Sequence, residues 1–553
     1  MTYYTASPLF GLRSLALLVL IGAVSSCLYL CYRWALPRPI SGIPYNKKAA
    51  ESLLGDVVPM VQYISRTQEV ASWWTLQTIK LQSPIIQLCI RPFGKPFVFI
   101  SDFREAEDIL LRRTKEFDRS TLFSDVFSGI VPNHHAIMKT TETFKQHRRW
   151  LQDLMTHEFL HQVAAPRVYA SFEDLMKLWG EKLRLAEGHP FAPAQDVNRA
   201  ALDAVWSVMF ASDPSNSATR AQFQHCASIK ALNLLSNIDR EVYIPQRSDP
   251  VIFKSITALV TSVGATAKSP LPALAHWLLR QFPYMRKAKA VTDKFLKAEV
   301  QKSLQKSAGK AADDIQISCG TDEILRREKV LAEKEGRAPL FHSKWMYDEL
   351  FGFIVAAHET TSTTIAWTLK ILADYQDEIV KSVIPYLDAV IEEAIRYSRT
   401  STTVIRTATT DVQVLGATIP KGTEVFLLSQ GPSIFSPAFP IPDYLRSESA
   451  LSAKDRIGSW DPQDIGEFKP ERWLKEENGK LIFDAASGPM LTFGLGPRGC
   501  FGRRLAYLEM RLMLVLLVWG FELQECPAEL SGWTRVEPFM SLPKKCYVRL
   551  RKL

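Results

Sequence analysis

The feature that most constrains this 553-residue chain is a decapeptide near its C-terminal end, Phe493-Gly494-Leu495-Gly496-Pro497-Arg498-Gly499-Cys500-Phe501-Gly502. A cysteine stands at the end of a Gly/Pro-rich loop, where a helix-forming run begins near Cys500 and continues to about Val518. Glycines let a backbone approach a flat macrocycle closely. Backbone N–H groups and the positive end of a helix stabilise a thiolate. Arg498 can pair with a carboxylate on such a group, and Phe493 can cover one side of the loop. Gly494, Gly496 and Gly499 also spell the G-x-G-x-x-G dinucleotide fingerprint. That rival fails on context. Pro497 lies inside the turn, no βαβ alternation precedes it, and too little chain follows for a doubly wound sheet.

Upstream, Ala356-Ala357-His358-Glu359-Thr360-Thr361 lies midway along residues 345–372, a strongly apolar run that predicts a long buried helix. An acid–hydroxyl pair inside such a helix is costly unless it has a function. A threonine there can bond back to its own helix, distort it and open room for ligand and water. A helix over 386–397 sets Glu393 and Arg396 one turn apart, where they can pair. The E-x-x-R spacing alone says little, because Glu116/Arg119, Glu181/Arg184 and Glu323/Arg326 share it. Strands are predicted at 85–89, 97–100, 404–407 and 425–428. Helices are predicted at 103–112 and from 144 to about 179, and residues 431–472 read as Pro-rich and irregular.

Phe493, Gly496, Arg498, Cys500 and Gly502 stand at the spacings of the haem-binding loop of the cytochrome P450 superfamily, which the decapeptide resembles. The resemblance runs nearly the whole chain, in the family's order. It implies a mostly α fold with small β-sheets, a haem b cofactor, and Cys500 as the metal ligand, the axial thiolate on iron. Glu359 and Thr360 match the family's oxygen-activation motif, with Ala357 where glycine is usual. By resemblance they are the catalytic pair, Thr360 steering protons and Glu359 helping to supply water. Phe144-Lys-Gln-His147-Arg148-Arg149 resembles the family's Trp-x-x-x-Arg helix, with Phe144 in place of Trp. The resemblance makes His147, Arg148, Arg406, Phe493 and Arg498 cofactor-binding residues, with Arg148 and Arg406 on the two propionates. Glu393, Arg396 and Arg472, the last in Phe468-Lys-Pro-Glu-Arg472-Trp473, would form a structural Glu–Arg–Arg network behind the haem. Residues 375–385 are a shorter link than the family usually has.

The N-terminal part adds a membrane. Residues 15–32 are almost unbroken in apolar character, just long enough to span a bilayer. A cleaved signal peptide is the rival, and Val24-Ser25-Ser26-Cys27 resembles a lipoprotein cleavage box. The apolar run continues past Cys27, which favours an uncleaved transmembrane helix. Arg33, Arg38, Lys47 and Lys48 follow it and only Arg13 precedes it, so the positive-inside bias places the body in the cytosol. Eight scattered cysteines without C-x-x-C spacing, and no N-x-S/T sequon, fit a reducing compartment. The expected organisation is an anchor over 1–34, a Pro-rich hinge over 35–50 and a haem-binding monooxygenase domain over 51–553. The net charge of +9 suits an anionic membrane or acidic partner. No zinc-finger or RNP-type motif points to nucleic acid.

The activity implied is insertion of one oxygen atom from O2 into a small apolar substrate, as hydroxylation or epoxidation. Phe127, Ile130, Val404, Ile405 and Phe539 are pocket candidates by resemblance. No flavin or nicotinamide domain is evident, so electrons are expected from NADPH through a separate membrane reductase. Arg149, Arg503 and Arg504 are candidates for its docking face. The whole resembles fungal enzymes that tailor terpenoids, polyketides or alkaloids at the endoplasmic reticulum membrane. A redox-neutral haem isomerase or dehydratase, and a non-catalytic membrane haem sensor, remain as alternatives.

Overall fold

The computed structural model describes residues 8–211, 216–269, 271–375, 384–456, 458–537 and 539–553. Most of the 375–385 link therefore lies outside the described residues. The N-terminal helix Pro8–Ala35 has 28 residues and a length of about 42 Å. Its stretch Leu17–Ala35 is long and apolar enough to cross a membrane, with none of it buried against the body. This suggests membrane anchoring. The Pro-rich segment behind it is soon tied down. The Gln87 side chain accepts from the Ile40 N–H and donates to the carbonyls of Ile40 and Ile43, each at 2.7 Å. Ile43 is already part of the core.

The body is mostly helical. Its largest sheet has five strands, in the order Ile85–Leu88, Phe97–Ile100, Glu424–Leu428, Thr403–Ala408, Phe117–Arg119. The Phe97 and Glu424 strands run parallel and the other pairs antiparallel. Each sequence-predicted strand is present within about a residue of its expected bounds. The short Phe117–Arg119 strand was not expected, and it places Arg119 directly opposite Arg406.

The predicted long helix is Lys344–Asp374, capped by the Ser343 hydroxyl accepting from the Met346 N–H. It runs through the core and is buried on nearly all sides over Thr361–Ala373, the pattern of a core helix and not of a surface helix with one buried stripe. Helices Ala194–Phe210, Ile384–Ser398 and Arg503–Gly520 pack on it. The last begins at Arg503, three residues after Cys500, with a turn at 501–502 between them, and Gly496–Arg498 form a 3₁₀ turn within the loop. The single helix expected over 144–179 is broken. Helix Glu142–Leu151 is followed by a 3₁₀ turn and a π-turn at Leu160–Ala164, before Ala165–Ala186 resumes with Pro166 in its first turn. Proline lacks the N–H a continuous ladder would need.

The Glu–Arg–Arg network forms as the resemblance implied. Glu393 receives Arg396 through two bonds of 2.6 and 2.8 Å, Arg472 Nε at 3.1 Å and the Trp473 indole at 2.9 Å. Of the other E-x-x-R pairs, Glu181–Arg184 is exposed, and Glu116 pairs with Arg113 instead of Arg119.

One buried acid behind the long helix was not foreseen. Glu509, on the C-terminal helix, is 1% exposed; it accepts from the Thr361 hydroxyl, and burial pushes it up to about 8. Between the ordinary carboxylate range and that value, the folded state holds a proton the unfolded chain has released. Stability from this site therefore falls as pH rises from about 5 to 8. Glu509→Gln is expected to flatten that decline, measured as melting temperature of wild type and variant across pH 5–8. Parallel pH profiles would refute it.

Candidate active site: the cysteine loop, an arginine trio and the long helix

The loop 493–500 is closed by its own backbone. The Cys500 N–H donates to the Phe493 carbonyl at 2.8 Å, the Gly499 N–H to Gly496 at 2.9 Å, and the Gly494 N–H to Leu491 at 2.8 Å. Gly496 is required for a reason the sequence did not show. Its φ is +70°, and a Cβ there would lie 2.3 Å from the Leu110 carbonyl oxygen of the helix Phe103–Leu111. The loop is thus seated on that helix by a close backbone approach that only glycine permits. Phe493 covers one side, its ring 5.5 Å from Tyr507, with the Arg503 guanidinium over it.

Cys500 is exposed, although it lies within the body. Burial pushes its thiol up. Opposing this, the Gly502 and Arg503 N–H groups donate to the sulfur, and the Arg148 and Arg503 cations favour the thiolate. These N–H groups open the helix Arg503–Gly520, so the positive helix end meets the sulfur as expected. A sulfur that is accessible yet enclosed by protein faces an internal space. The long helix shows the same feature. Ala356 is exposed and Thr360 is partly so, in a helix otherwise buried on both sides of them. The Thr360 hydroxyl donates back to the Ala356 carbonyl at 2.8 Å, the back-bond anticipated for this threonine, while the helix runs unbroken through the position. Burial raises the Glu359 carboxyl above its usual range.

Beside the loop stands a group of cations. Arg406 and Arg119 are cross-strand partners, and Arg498 is close enough to depress Arg119. Burial, and then the Arg406 charge, hold Arg498 down to about 10; burial holds Arg406 down to about 10. Asp118 is the carboxylate acting on all three, and Thr140 already engages it through its hydroxyl at 2.6 Å. Arg498 Nε and Nη1 and Arg119 Nε are buried with no partner among the described residues. Like charges opposite each other on neighbouring strands repel, and unpaired buried donors are costly. A cofactor carrying carboxylates, held by this trio, would supply acceptors for the unpartnered donors and offset the like charges. The residues present therefore fit a haem.

The other candidate residues distribute as follows. Arg148 stacks on Phe501 with 4.8 Å to the ring centroid and is coupled to Cys500. His147 is fully buried and belongs to a different group: its Nδ1 bonds Glu349 at 2.7 Å, and its ring lies against Trp150 and Trp345. Phe144 holds the place expected of an aromatic, its ring 3.9 Å beneath the Arg498 guanidinium. Phe127 and Phe539 meet edge to face at 5.1 Å, and Val404 lies beside the loop at Gly494. Ile405 instead joins the cluster of Trp73, Phe97, Phe99 and Phe426, because adjacent strand residues point to opposite faces. Arg149 and Arg504 are exposed, though Arg504 donates to the Met155 carbonyl. Arg503 is turned toward Glu392 at 3.7 Å. Arg119 was missed because nothing in Phe117–Arg119 itself marks it. Only its pairing with Arg406, far along the chain, does so.

Comparison with known proteins agrees with this geometry. The family model for cytochrome P450 matches residues 84–442 and 463–549. The chain is 36% identical to cytochrome P450 monooxygenase TRI13 of Fusarium sporotrichioides, over 98% of this chain and 99% of that one. It is 37% identical to cytochrome P450 monooxygenase GME11363 of Pestalotiopsis microspora, over 96% and 97%. With cytochrome P450 monooxygenase xilC of Penicillium crustosum it shares 34%, over 95% and 94%. Fold, loop and relatives agree: the chain belongs to the cytochrome P450 family, among monooxygenases of the fungal type.

Proposed function

We propose that this chain is a membrane-anchored haem-thiolate monooxygenase that inserts one oxygen atom from O2 into a small apolar substrate, in fungal secondary metabolism of the terpenoid, polyketide or alkaloid kind. The observation that carries this reading is the accessible Cys500 sulfur beside Arg119, Arg406 and Arg498, of which Arg119 and Arg498 hold buried N–H groups without a partner among the described residues. Bound haem with a cysteine thiolate supplies activation of dioxygen.

The chain's own residues would do the rest. Cys500 is the iron ligand, its charge supported by the Gly502 and Arg503 N–H groups. Arg498 and Arg406, with Arg119, hold the propionates, and Arg148 supports the same cofactor from the Glu142–Leu151 helix. Thr360 and Glu359 form the proton path: Thr360 offers its hydroxyl on the accessible stretch of the long helix, and burial raises the Glu359 carboxyl, which favours its holding a proton. Phe127, Val404 and Phe539 form an apolar wall that excludes water and orients the substrate.

Electrons come from NADPH through a separate flavoprotein reductase, drawn by the exposed Arg149 and Arg504. Residues 1–34 anchor the chain, 35–50 connect it, and 51–553 form the catalytic body. The body lies on the cytosolic side of the endoplasmic reticulum membrane, consistent with the positive charges behind the apolar helix.

The test is turnover with a reductase, NADPH and 18O2 on a panel of apolar terpenoids, polyketides and alkaloids. One labelled oxygen per product is expected. An unlabelled product formed without NADPH would show redox-neutral chemistry instead. In the same system Thr360→Val is expected to retain NADPH oxidation but divert it to hydrogen peroxide. Product per NADPH should fall by about tenfold or more, the range of lost proton-transfer catalysis. Unchanged coupling would remove Thr360 from the proton path.

A further inference from the structure

Glu349 lies on the long helix about two turns before Ala356. Its side chain is fully buried, yet it is well supplied with donors. Oε1 accepts the His135 backbone N–H at 2.6 Å and meets His147 Nδ1 at 2.7 Å. Oε2 meets His135 Nδ1 at 2.7 Å and stands 3.3 Å from His134 Nε2. His134 Nδ1 accepts the Ala136 N–H, which leaves its Nε2 to carry the proton toward Glu349. These contacts hold the carboxyl well below the usual range against the cost of burial. The neighbouring Asp348 accepts from the Asn133 N–H and side chain at 2.9 and 2.8 Å. Two adjacent carboxylates thus fix residues 133–135 to the long helix.

Three residues nearby would suit a metal ion by type: His134, His135 and Glu349. The distances favour hydrogen bonds. Two ligands on one tetrahedral ion stand about 3.3 Å apart, whereas His135 and His147 lie 2.7 Å from the carboxylate.

The other side of the same short segment holds Arg498. Its Nη2 donates to the carbonyls of His135, Ala136 and Met138 at 3.4, 3.2 and 2.7 Å. With that nitrogen committed and the guanidinium plane laid on Phe144, Nε and Nη1 are left free. They are fixed in direction, two residues from Cys500.

We propose that Glu349 is a positioning residue for Arg498: by holding His134 and His135, and with them the segment 133–138, it aims the guanidinium at the carboxylates of the cofactor. The inference rests on the haem reading above and adds a residue on the far side of the loop that sets its geometry. Preorganised donors bind better because their orientation is settled before the ligand arrives.

The experiment is a double-mutant cycle on the holoprotein, read as the rate of haem transfer to excess apomyoglobin. Hydrogen exchange over residues 133–138 is followed in parallel. Glu349→Gln keeps the shape but puts an amide where donors converge. It is expected to speed haem transfer roughly 10–100-fold, the usual cost of losing an outer-shell partner, and to raise exchange in 133–138. Arg498→Gln should act similarly, and the double variant should be no faster than Arg498→Gln alone. Additive effects would show that Glu349 does not act through Arg498, and wild-type haem retention in Glu349→Gln would equally overturn the proposal. If Arg498→Gln itself retains haem normally, the fault lies in the haem-edge reading instead. Should Glu349→Gln not accumulate, His134→Gln, which loses the 3.3 Å contact, takes its place in the cycle. A stoichiometric metal besides iron in the wild-type protein, lost in Glu349→Gln, would also overturn the proposal.

Discussion

Cys500→Ala is expected to abolish the strongly red-shifted Soret band of the reduced, carbon-monoxide-bound protein and with it all monooxygenase turnover. The argument comes from the site. Cys500 is the accessible sulfur at the end of a loop closed by three backbone hydrogen bonds, and two N–H groups and two cations converge on it. Alanine removes the sulfur without disturbing the loop, because the closing bond uses the Cys500 backbone N–H and not its side chain. The variant should therefore fold, and should still bind haem weakly through the arginine trio. A retained red-shifted band would mean that another residue ligates the iron. An ordinary Soret position in the wild-type protein would withdraw the thiolate mechanism.

Glu393→Ala is expected to destabilise the protein by about 3–5 kcal/mol, the cost of stripping one partner from a buried ion network. Glu393 is fully buried and answers Arg396, Arg472, the Trp473 indole and the Lys469 N–H. Arg396 spends its remaining donors on the carbonyls of Ile434, Ile465 and Glu467. Without the carboxylate, the buried Arg396 loses its ion-pair partner and the Trp473 indole N–H its acceptor, while Arg472 keeps Asp464. The matched control is Glu181→Ala, which removes the same E-x-x-R spacing from an exposed pair with Arg184 and should cost under about 1 kcal/mol. Urea titration of the two variants, followed by far-UV circular dichroism, checks the contrast. Equal losses would show that burial does not distinguish the two motifs.

That contrast also shows how far the sequence could be read. The chain contains several E-x-x-R spacings, and spacing could not rank them; resemblance selected Glu393, and packing explains why. Similarly, the decapeptide announced a thiolate on a glycine-rich turn. The need for glycine at 496 comes from the Leu110 carbonyl, which belongs to a helix almost 400 residues earlier. Periodicity located the long helix and four strands within a few residues, since apolar runs and β-branched clusters act locally. It failed where local preferences were overridden: at the π-turn before Pro166, and at the start of the last helix, where a turn at 501–502 intervenes.

His147 is the instructive difference. Its neighbours in sequence, Phe144 and Arg148, lie beside the cysteine loop, at Arg498 and Phe501, whereas one hundred degrees of helical rotation per residue carry it to Glu349. Arg119, Glu349 and His134 carried no local signal, because a charged residue reads as surface until its environment is known. The sequence by itself determined the chemistry available: a thiol on a constrained loop, an acid–alcohol pair in an apolar helix, an arginine on a predicted strand and an apolar N-terminal span. Only the tertiary structure decided which charges face one another. Pairing of Phe117–Arg119 with Thr403–Ala408 and the crossing of the long helix bring together groups hundreds of residues apart, and burial leaves N–H groups of Arg119 and Arg498 without a partner among the described residues.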